Sequence, residues 1–190
     1  MSRFLIVGLP RSKTAWMSVV ASTVPGALCF HEPVTRFENW ECCFDIWENT
    51  ARSHVGIADS GLGFHLERIL AEAAPWVLII RRDIDEVKAS LKRLHPIELN
   101  YCELLAEKLD EFASCPGVMS VRFEDLANSE TVAECLRHLI PGCSPDEERI
   151  RELIRLNVQV DMNHVWQFAA RARPEAIVGR EVLAKLRLYQ

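Results

Sequence analysis

The sequence lacks several features that would assign it at once to a functional class. None of its seven cysteines forms a C-x-x-C pair, so neither a zinc ribbon nor a thioredoxin-like redox site is expected. No apolar run approaches the roughly 20 residues of a membrane span. Basic residues are not in excess, because the net charge is −5. We therefore expect neither a membrane nor a nucleic acid as a partner.

Two further absences bear on compartment and domain organisation. The apolar stretch after Ser2 and Arg3 runs only from Phe4 to Val7, which is too short for a signal peptide. The cysteine count is odd and Cys42-Cys43 is the only close pair, which favours reduced, mostly buried thiols over a disulfide framework. We expect a cytoplasmic protein. Because no repeat or linker interrupts the sequence, residues 1–190 are predicted to form a single domain.

Short apolar runs alternate with helical patterns along the chain. Such alternation predicts βαβ units and an α/β fold, a three-layer sandwich around a parallel sheet. The predicted strands are Phe4–Val7, Ala27–Phe30, His54–Ala58, Trp76–Ile80 and Val118–Phe123.

Several helix starts are marked by residues that commonly cap helices. Asp83 precedes an acidic residue three positions later and an apolar pattern at helical spacing, which predicts a helix to about residue 94. Ser129 and Ser144 are expected to cap two later helices, and Glu147 completes a capping box with Ser144. A last helix is predicted from about Gly179.

The turn after the first strand has the composition of an anion-binding loop. Gly8 permits a sharp turn, Arg11 and Lys13 are cations, and Ser12 and Thr14 carry hydroxyls. The helix that follows presents free N–H groups and a partial positive charge at its start. We expect this loop to bind the phosphate end of a nucleotide-like cofactor.

The segment from Gly8 to Trp16 reads G-L-P-R-S-K-T-A-W and resembles the 5′-phosphosulfate-binding loop of the PAPS-dependent sulfotransferases, approximately G-x-P-[RK]-S-G-T-T-[WL]. Lys13 replaces the usual glycine, and Ala15 replaces the second threonine. The resemblance implies a P-loop nucleoside triphosphate hydrolase-like fold of the sulfotransferase type with a five-stranded parallel sheet. It also implies 3′-phosphoadenosine 5′-phosphosulfate (PAPS) as co-substrate. The implied cofactor-binding residues here are Pro10, Arg11, Ser12, Lys13, Thr14, Ala15 and Trp16.

A second segment resembles the 3′-phosphate signature of the same family, R-[DN]-P-x-[DE]-x-x-x-S. It begins at Arg82, after the Trp76–Ile80 strand, and ends at Ser90, with Ile84 in place of the proline. The match implies that Arg82 and Ser90 hold the 3′-phosphate. Its position fits, because ligands of open α/β sheets bind at the carboxyl ends of the strands.

Weaker matches follow, and one expected segment is not evident. Phe30-His-Glu-Pro33 resembles the [FY]-E-P of carbohydrate-type sulfotransferases, and Arg122-Phe-Glu-Asp-Leu126 resembles Y-E-D-L. The C-terminal G-x-x-G-x-W-[KR] of the family is not found, and Val178-Gly179-Arg180 is a poor substitute for it.

Sulfuryl transfer needs a cation at the breaking bond and a base for the acceptor. By resemblance Arg11 is the catalytic cation and Lys13 a second one, and no metal is required. Glu32 is the expected base, His31 is its competitor, and Asp59 also lies near the site. Because adjacent strand residues face opposite sides, the side chains of His31 and Glu32 should diverge if the strand extends that far.

A stripe of aromatic residues lies between the second and third strands. Trp40, Phe44 and Trp47 have roughly helical spacing. They could line an acceptor pocket or a lid, but such a stripe more often packs in a core or a partner interface, and we favour that interpretation.

Three functions remain open at the level of sequence. The leading hypothesis is a sulfotransferase that moves a sulfuryl group from PAPS to a hydroxyl or amine of a small-molecule or carbohydrate acceptor. The alternatives are a P-loop kinase-like phosphotransferase using ATP and Mg²⁺, with Lys13-Thr14 as its K-[ST] pair and Asp59 as its magnesium ligand, and a non-catalytic nucleotide-binding module. The sequence sets neither the acceptor nor the oligomeric state.

Overall fold

The computed structural model of the chain describes residues 2–34, 39–92 and 101–155. Five parallel strands form one sheet in the order β2-β3-β1-β4-β5. The strands are β1 (Ser2–Gly8), β2 (Ala27–His31), β3 (His54–Ala58), β4 (Trp76–Arg81) and β5 (Val118–Arg122). All five predicted strands are therefore confirmed, with ends within two residues of the predicted ones.

Helices connect the strands in the described ranges. They are α1 (Thr14–Ala21), α2 (Cys42–Asn49), α3 (Leu66–Ala73), α4 (Ile84–Lys92), α5 (Tyr101–Phe112), α6 (Ser129–Leu139) and α7 (Glu147–Arg155). Short 3₁₀ turns span Gly61–His65 and Glu124–Ala127. No helix in this part of the chain is long and apolar enough to cross a membrane.

Side chains of β1 divide the core into two apolar clusters, one on each face of the sheet. Phe4 and Ile6 belong to the cluster that contains buried residues of α1, α6 and α7. Leu5 and Val7 belong to the cluster that contains those of α2, α3 and α5. Since successive strand residues point to opposite faces, one fully buried strand supplies both clusters. The predicted three-layer α/β sandwich is confirmed.

The predicted starts of three helices can be compared with the observed ones. The Asp83 carboxylate accepts from the Asp85 and Glu86 N–H groups, as expected of a cap for α4. The other two predicted caps are wrong by one or two residues. Asn128, not Ser129, accepts from the Glu130 N–H at the start of α6.

At the start of α7, Asp146 takes the place predicted for Ser144. Its carboxylate accepts from the Arg149 N–H, and the helix begins at Glu147. Both errors have one cause, since each segment offers two residues with capping side chains and local pattern does not choose between them. The helix predicted from Gly179 lies outside the described residues.

The seven cysteines agree with the expectation of free, mostly buried thiols. None is in a disulfide; Cys115 and Cys143 are partly exposed and the other five are buried. Burial raises the pKa of the adjacent Cys42 and Cys43 thiols to about 12, so both stay protonated and unreactive at neutral pH.

Asp59 ties the ends of two strands together at the carboxyl edge of the sheet. It follows β3 and is 2% exposed. One carboxylate oxygen accepts from the Val34 N–H at 3.0 Å, and the other accepts from the Gly61 N–H at 2.8 Å. Burial raises the pKa of Asp59 to about 6, and the nearby Glu32 charge adds to the rise, although the two N–H bonds act in the opposite direction.

This raised pKa predicts a pH-dependent contribution of Asp59 to stability. Because the folded state holds the Asp59 proton more tightly than the unfolded state, the free energy of unfolding should rise as pH falls through about 6. Relative to an Asp59→Asn variant, the wild type should gain about 1.4 kcal/mol between pH 7.5 and pH 5. Urea unfolding of both proteins at each pH measures the gain. A difference that does not change with pH would contradict the assignment.

Candidate functional site

The loop between β1 and α1 has an unusual backbone for its residues. Arg11 and Lys13 have φ angles of 67° and 61°, in the left-handed region that favours glycine. Such a conformation costs roughly 1–3 kcal/mol for each non-glycine residue and is typical of ligand-binding segments. Lys13 is also the residue before α1, and no side chain caps that helix. The first N–H groups of α1 are therefore not occupied by a capping side chain.

Gly8 is required where the loop leaves the sheet. A Cβ atom at this position would lie 2.7 Å from the carbonyl oxygen of Ile80 on the neighbouring strand β4. Any side chain would push β1 and β4 apart at the point where the loop begins. The close approach brings the loop beside the end of β4, where Arg82 follows.

Ser12 is a buried hydroxyl with no hydrogen-bond partner among the described residues. It lies inside the loop and is 1% exposed, yet its Oγ makes no hydrogen bond to this part of the chain. An unpaired buried hydroxyl costs about 1–3 kcal/mol, so such groups usually have a function that explains them. Its position beside the uncapped start of α1 fits a group that donates to a bound oxyanion.

The structure brings the two predicted motifs together. Arg82 Nη1 donates to the Arg11 carbonyl oxygen at 2.6 Å, and Arg82 Nε lies 3.3 Å from Glu86 Oε2. Arg11 Nε donates to Ser90 Oγ at 3.3 Å. Ser90 is buried on α4. Residues separated by more than 70 positions in sequence thus form one connected polar group at the carboxyl ends of β1 and β4.

Lys13 and Arg82 both contact the ring of Phe123, which directly follows β5. Lys13 Nζ lies 4.7 Å from the ring centroid, and the Arg82 guanidinium carbon lies 4.1 Å from it. Burial and the Arg82 charge lower the pKa of Lys13, whereas Glu124 raises it. Sequence reasoning did not place Phe123 in the site. A signal for it was present, because Phe123 ends the predicted strand Val118–Phe123 and lies in the segment that resembles Y-E-D-L.

The expected base lies at the end of β2, two strands from the loop. Its backbone is left-handed, with a φ of 49°, and its carboxylate Oε1 lies 3.5 Å from His31 Nε2. The divergence of His31 and Glu32 was expected only for a strand that extends through Glu32, and that condition is not met. Strand β2 ends at His31, and the left-handed turn at Glu32 brings the two side chains to the same side. Half of the Glu32 side chain is exposed, so an acceptor can reach it.

Trp16 differs from the other loop residues predicted to bind the cofactor. It is 2% exposed within the apolar core, and its indole N–H donates to the Leu153 carbonyl oxygen at 3.1 Å. The indole N–H of Trp16 therefore anchors α7 to α1, and the predicted cofactor contact of Trp16 stays a prediction that its backbone N–H could fulfil. Thr14 is buried at the start of α1, whereas Pro10 and Ala15 are partly exposed beside it.

The aromatic stripe packs as the favoured interpretation expected. Trp47 is fully buried in one of the two core clusters, and Trp40 and Phe44 pack against that cluster. The ring of Trp40 stacks on His65 at 4.5 Å between centroids. These rings stabilise α2 and the Gly61–His65 turn against the sheet and do not form a lid.

One sequence observation lies outside the described residues, namely the C-terminal segment with Val178-Gly179-Arg180.

Comparison with known proteins gives a match in structure but not in sequence. No protein-family model matches the chain, and no curated protein is similar to it in sequence. A sulfotransferase from Alicyclobacillus acidocaldarius superposes with a TM-score of 0.55 at 15% identity, over 94% of this chain and 95% of that one. The crystal structure of mouse sulfotransferase SULT7A1 complexed with PAP superposes with a TM-score of 0.57 at 10% identity, over 97% and 89% of the respective chains.

These identities are too low to transfer an activity, but the superpositions cover nearly the whole chain. They agree with the five-stranded parallel sheet and its surrounding helices. The chain has the P-loop-like fold of the sulfotransferases.

Proposed function

We propose that this protein is a sulfotransferase that moves a sulfuryl group from PAPS to a hydroxyl or amine acceptor. The observation that carries the proposal is the buried, unpaired Ser12 hydroxyl beside the uncapped start of α1. A phosphate oxygen at this position would satisfy the hydroxyl and the free N–H groups together. The sulfotransferase fold, and the PAP bound in the mouse protein, support a nucleotide of this kind.

The loop residues fit the 5′ end of such a nucleotide. The absence of a Cβ at Gly8 keeps the loop close to β4, and the left-handed residues Arg11 and Lys13 curve it around the start of α1. When bound, PAPS supplies the activated sulfuryl group. We propose that Arg11 holds its guanidinium, which stays charged at every working pH, beside the oxygen that becomes negative as the S–O bond breaks. Ser90 orients that guanidinium through its hydroxyl.

We propose Glu32 as the base for the acceptor. The acceptor oxygen or nitrogen would form the new bond to sulfur while its proton passes to the Glu32 carboxylate, leaving a sulfated acceptor and adenosine 3′,5′-bisphosphate (PAP). The Asp59 carboxylate accepts a hydrogen bond from the N–H of Val34, two residues after Glu32. This bond stabilises the turn that contains the proposed base. The adjacent His31 imidazole is positioned to share the proton.

The geometry gives the kinase-like alternative less support. A magnesium ligand must be accessible to the ion, but Asp59 is 2% exposed and its oxygens accept the N–H bonds of Val34 and Gly61. The ammonium of Lys13, which would have to meet a phosphate inside the loop, lies against Phe123.

Ligand-induced thermal stabilisation tests the proposed function. PAP at about 100 times its dissociation constant, without Mg²⁺, should stabilise the protein by about 2.7 kcal/mol. For a chain of this size that corresponds to a rise in Tm of roughly 5–10 °C. ADP or ATP with Mg²⁺ should have a smaller effect at the same concentration. Stabilisation only by ADP or ATP with Mg²⁺ would refute the sulfotransferase assignment in favour of the kinase-like one.

Variants of the two catalytic candidates test the chemical step. PAP formation from PAPS can be followed with a mixed set of phenol, alcohol and amino-sugar acceptors. Arg11→Ala should lower kcat by about 10²–10³-fold, because it removes the positive charge beside the oxygen that becomes negative as the S–O bond breaks. Glu32→Gln should lower kcat by at least about 10²-fold. Both should bind PAP within about tenfold of the wild type.

Arg52→Ala, which changes an arginine at the opposite edge of the sheet, is the control and should behave as the wild type. A wild-type kcat in Arg11→Ala would remove Arg11 from the mechanism. A wild-type kcat in Glu32→Gln would do the same for Glu32.

A further inference from the structure

Lys13 occupies a backbone position that a glycine would adopt more easily. A φ of 61° destabilises the fold by roughly 1–2 kcal/mol when the residue is a lysine, whereas a glycine adopts this angle without that cost. The anion site at the start of α1 uses backbone N–H groups and the Ser12 hydroxyl, so it does not need a side chain at this position. We therefore look for a role of the Lys13 side chain that offsets the backbone strain.

The side chain of Lys13 packs beside two aromatic rings. Its ammonium lies 4.7 Å from the centroid of Phe123 and 5.6 Å from that of Trp16. The guanidinium of Arg82 packs on the same Phe123 ring. Lys13 and Arg82, which are distant in sequence, thus both contact the ring of Phe123 beside the loop between β1 and α1.

This arrangement leaves one cation without a polar partner. No described residue gives the Lys13 ammonium a hydrogen bond or an ion pair. Arg82 contacts Glu86, and Glu124 lies close enough to Lys13 to affect its pKa, but about half of each carboxylate side chain is exposed to water. The Arg82 side chain is only 10% exposed. Lys13 is partly buried, and the Arg82 charge lowers its pKa, so the two cations repel each other and an anion that binds both would relieve the repulsion.

We propose that Lys13, together with Arg82, binds a second phosphate of the nucleotide and makes the site selective for a 3′,5′-bisphosphate over a 5′-monophosphate. This inference rests on the proposed function, because it assumes a nucleotide whose 5′ end lies at the start of α1. It assigns Lys13 to the 3′-phosphate and not to the sulfuryl group, where the sequence placed it. The hydrogen bond from Arg82 to the Arg11 carbonyl fixes the two phosphate sites relative to each other.

Binding of two nucleotides by calorimetry tests the assignment. PAP and adenosine 5′-monophosphate differ only in the 3′-phosphate, so the ratio of their dissociation constants isolates the second site. Lys13→Met should reduce the preference for PAP by at least about tenfold, the effect of one charged hydrogen bond, and leave the affinity for the monophosphate within about threefold. Lys13→Gly should give the same reduced preference with a relaxed backbone, whereas Lys13→Arg should retain the preference.

Variants of other basic residues of this protein serve as matched controls. Arg82→Ala should reduce the preference for PAP, but Arg81→Ala should not, because Arg81 pairs with Asp110. Lys108→Met changes a lysine that pairs with Glu111 on α5 and should bind both nucleotides as the wild type does.

The pH dependence of the same ratio gives an independent readout. Because burial and Arg82 lower the pKa of Lys13 in the free protein, the preference for PAP should fall as pH rises through a value below that of an ordinary lysine. Lys13→Arg should abolish this fall, since arginine stays charged throughout. Glu124→Gln should shift the fall to lower pH, because it removes the carboxylate that favours the charged lysine.

Each outcome decides between the two proposals. If Lys13→Met weakens PAP and the monophosphate equally, Lys13 serves the 5′ end or the fold, and this inference is wrong while the proposed function stands. If the variant keeps the full wild-type preference for PAP, the inference is likewise wrong. If the wild type binds neither nucleotide, the proposed function fails and this inference fails with it.

Discussion

The proposed binding of an oxyanion at the start of α1 is the interaction on which the candidate site depends. Three features of the loop are unfavourable without it: a buried Ser12 hydroxyl without a partner in the described structure, a helix start without a side-chain cap, and two non-glycine residues in left-handed backbone conformations. Each costs on the order of 1 kcal/mol or more. A bound anion would accept hydrogen bonds from the Ser12 hydroxyl and from the first N–H groups of α1, and so would offset the first two costs.

The order of the strands places the other residues of the candidate site along the carboxyl edge of the sheet. Because β1 lies at the centre, its loop has β4 on one side and β3 on the other. Arg82 after β4 reaches the loop directly, and Phe123 after β5 supports it. Glu32 follows β2, about 10 Å from β1 at the usual strand spacing, which separates the proposed base from the nucleotide by the width of an acceptor group. Asp59 after β3 braces the turn between them.

Much of this arrangement could be predicted from sequence. Five strands were evident as short apolar runs, and the loop was evident from Gly8, its cations and its hydroxyls. The pairing of Arg82 with the loop followed from a motif at the end of a strand. Contacts that depend on side-chain direction could not be predicted. Trp16 lies next to the loop in sequence but points into the core, and His31 and Glu32 approach each other only because the strand stops between them.

Lys13 shows the same limit most clearly. In the sequence it is a cation inside a phosphate loop, and its side chain was expected near the reacting sulfur. In the structure the ammonium lies against the ring of Phe123, which is 110 residues away in the chain. Only the packing of β5 beside β4 reveals this contact. The departure from the glycine of the resembled loop therefore changes which part of the ligand the residue serves.

A crystal structure of the complex with adenosine 3′,5′-bisphosphate tests the central claim most directly. The account predicts a 5′-phosphate oxygen within about 3 Å of Ser12 Oγ and of the first N–H groups of α1, and the 3′-phosphate between the Lys13 and Arg82 side chains. A complex in which the nucleotide lies elsewhere, with Ser12 still unpaired and the helix start covered by the protein's own side chains, would contradict it.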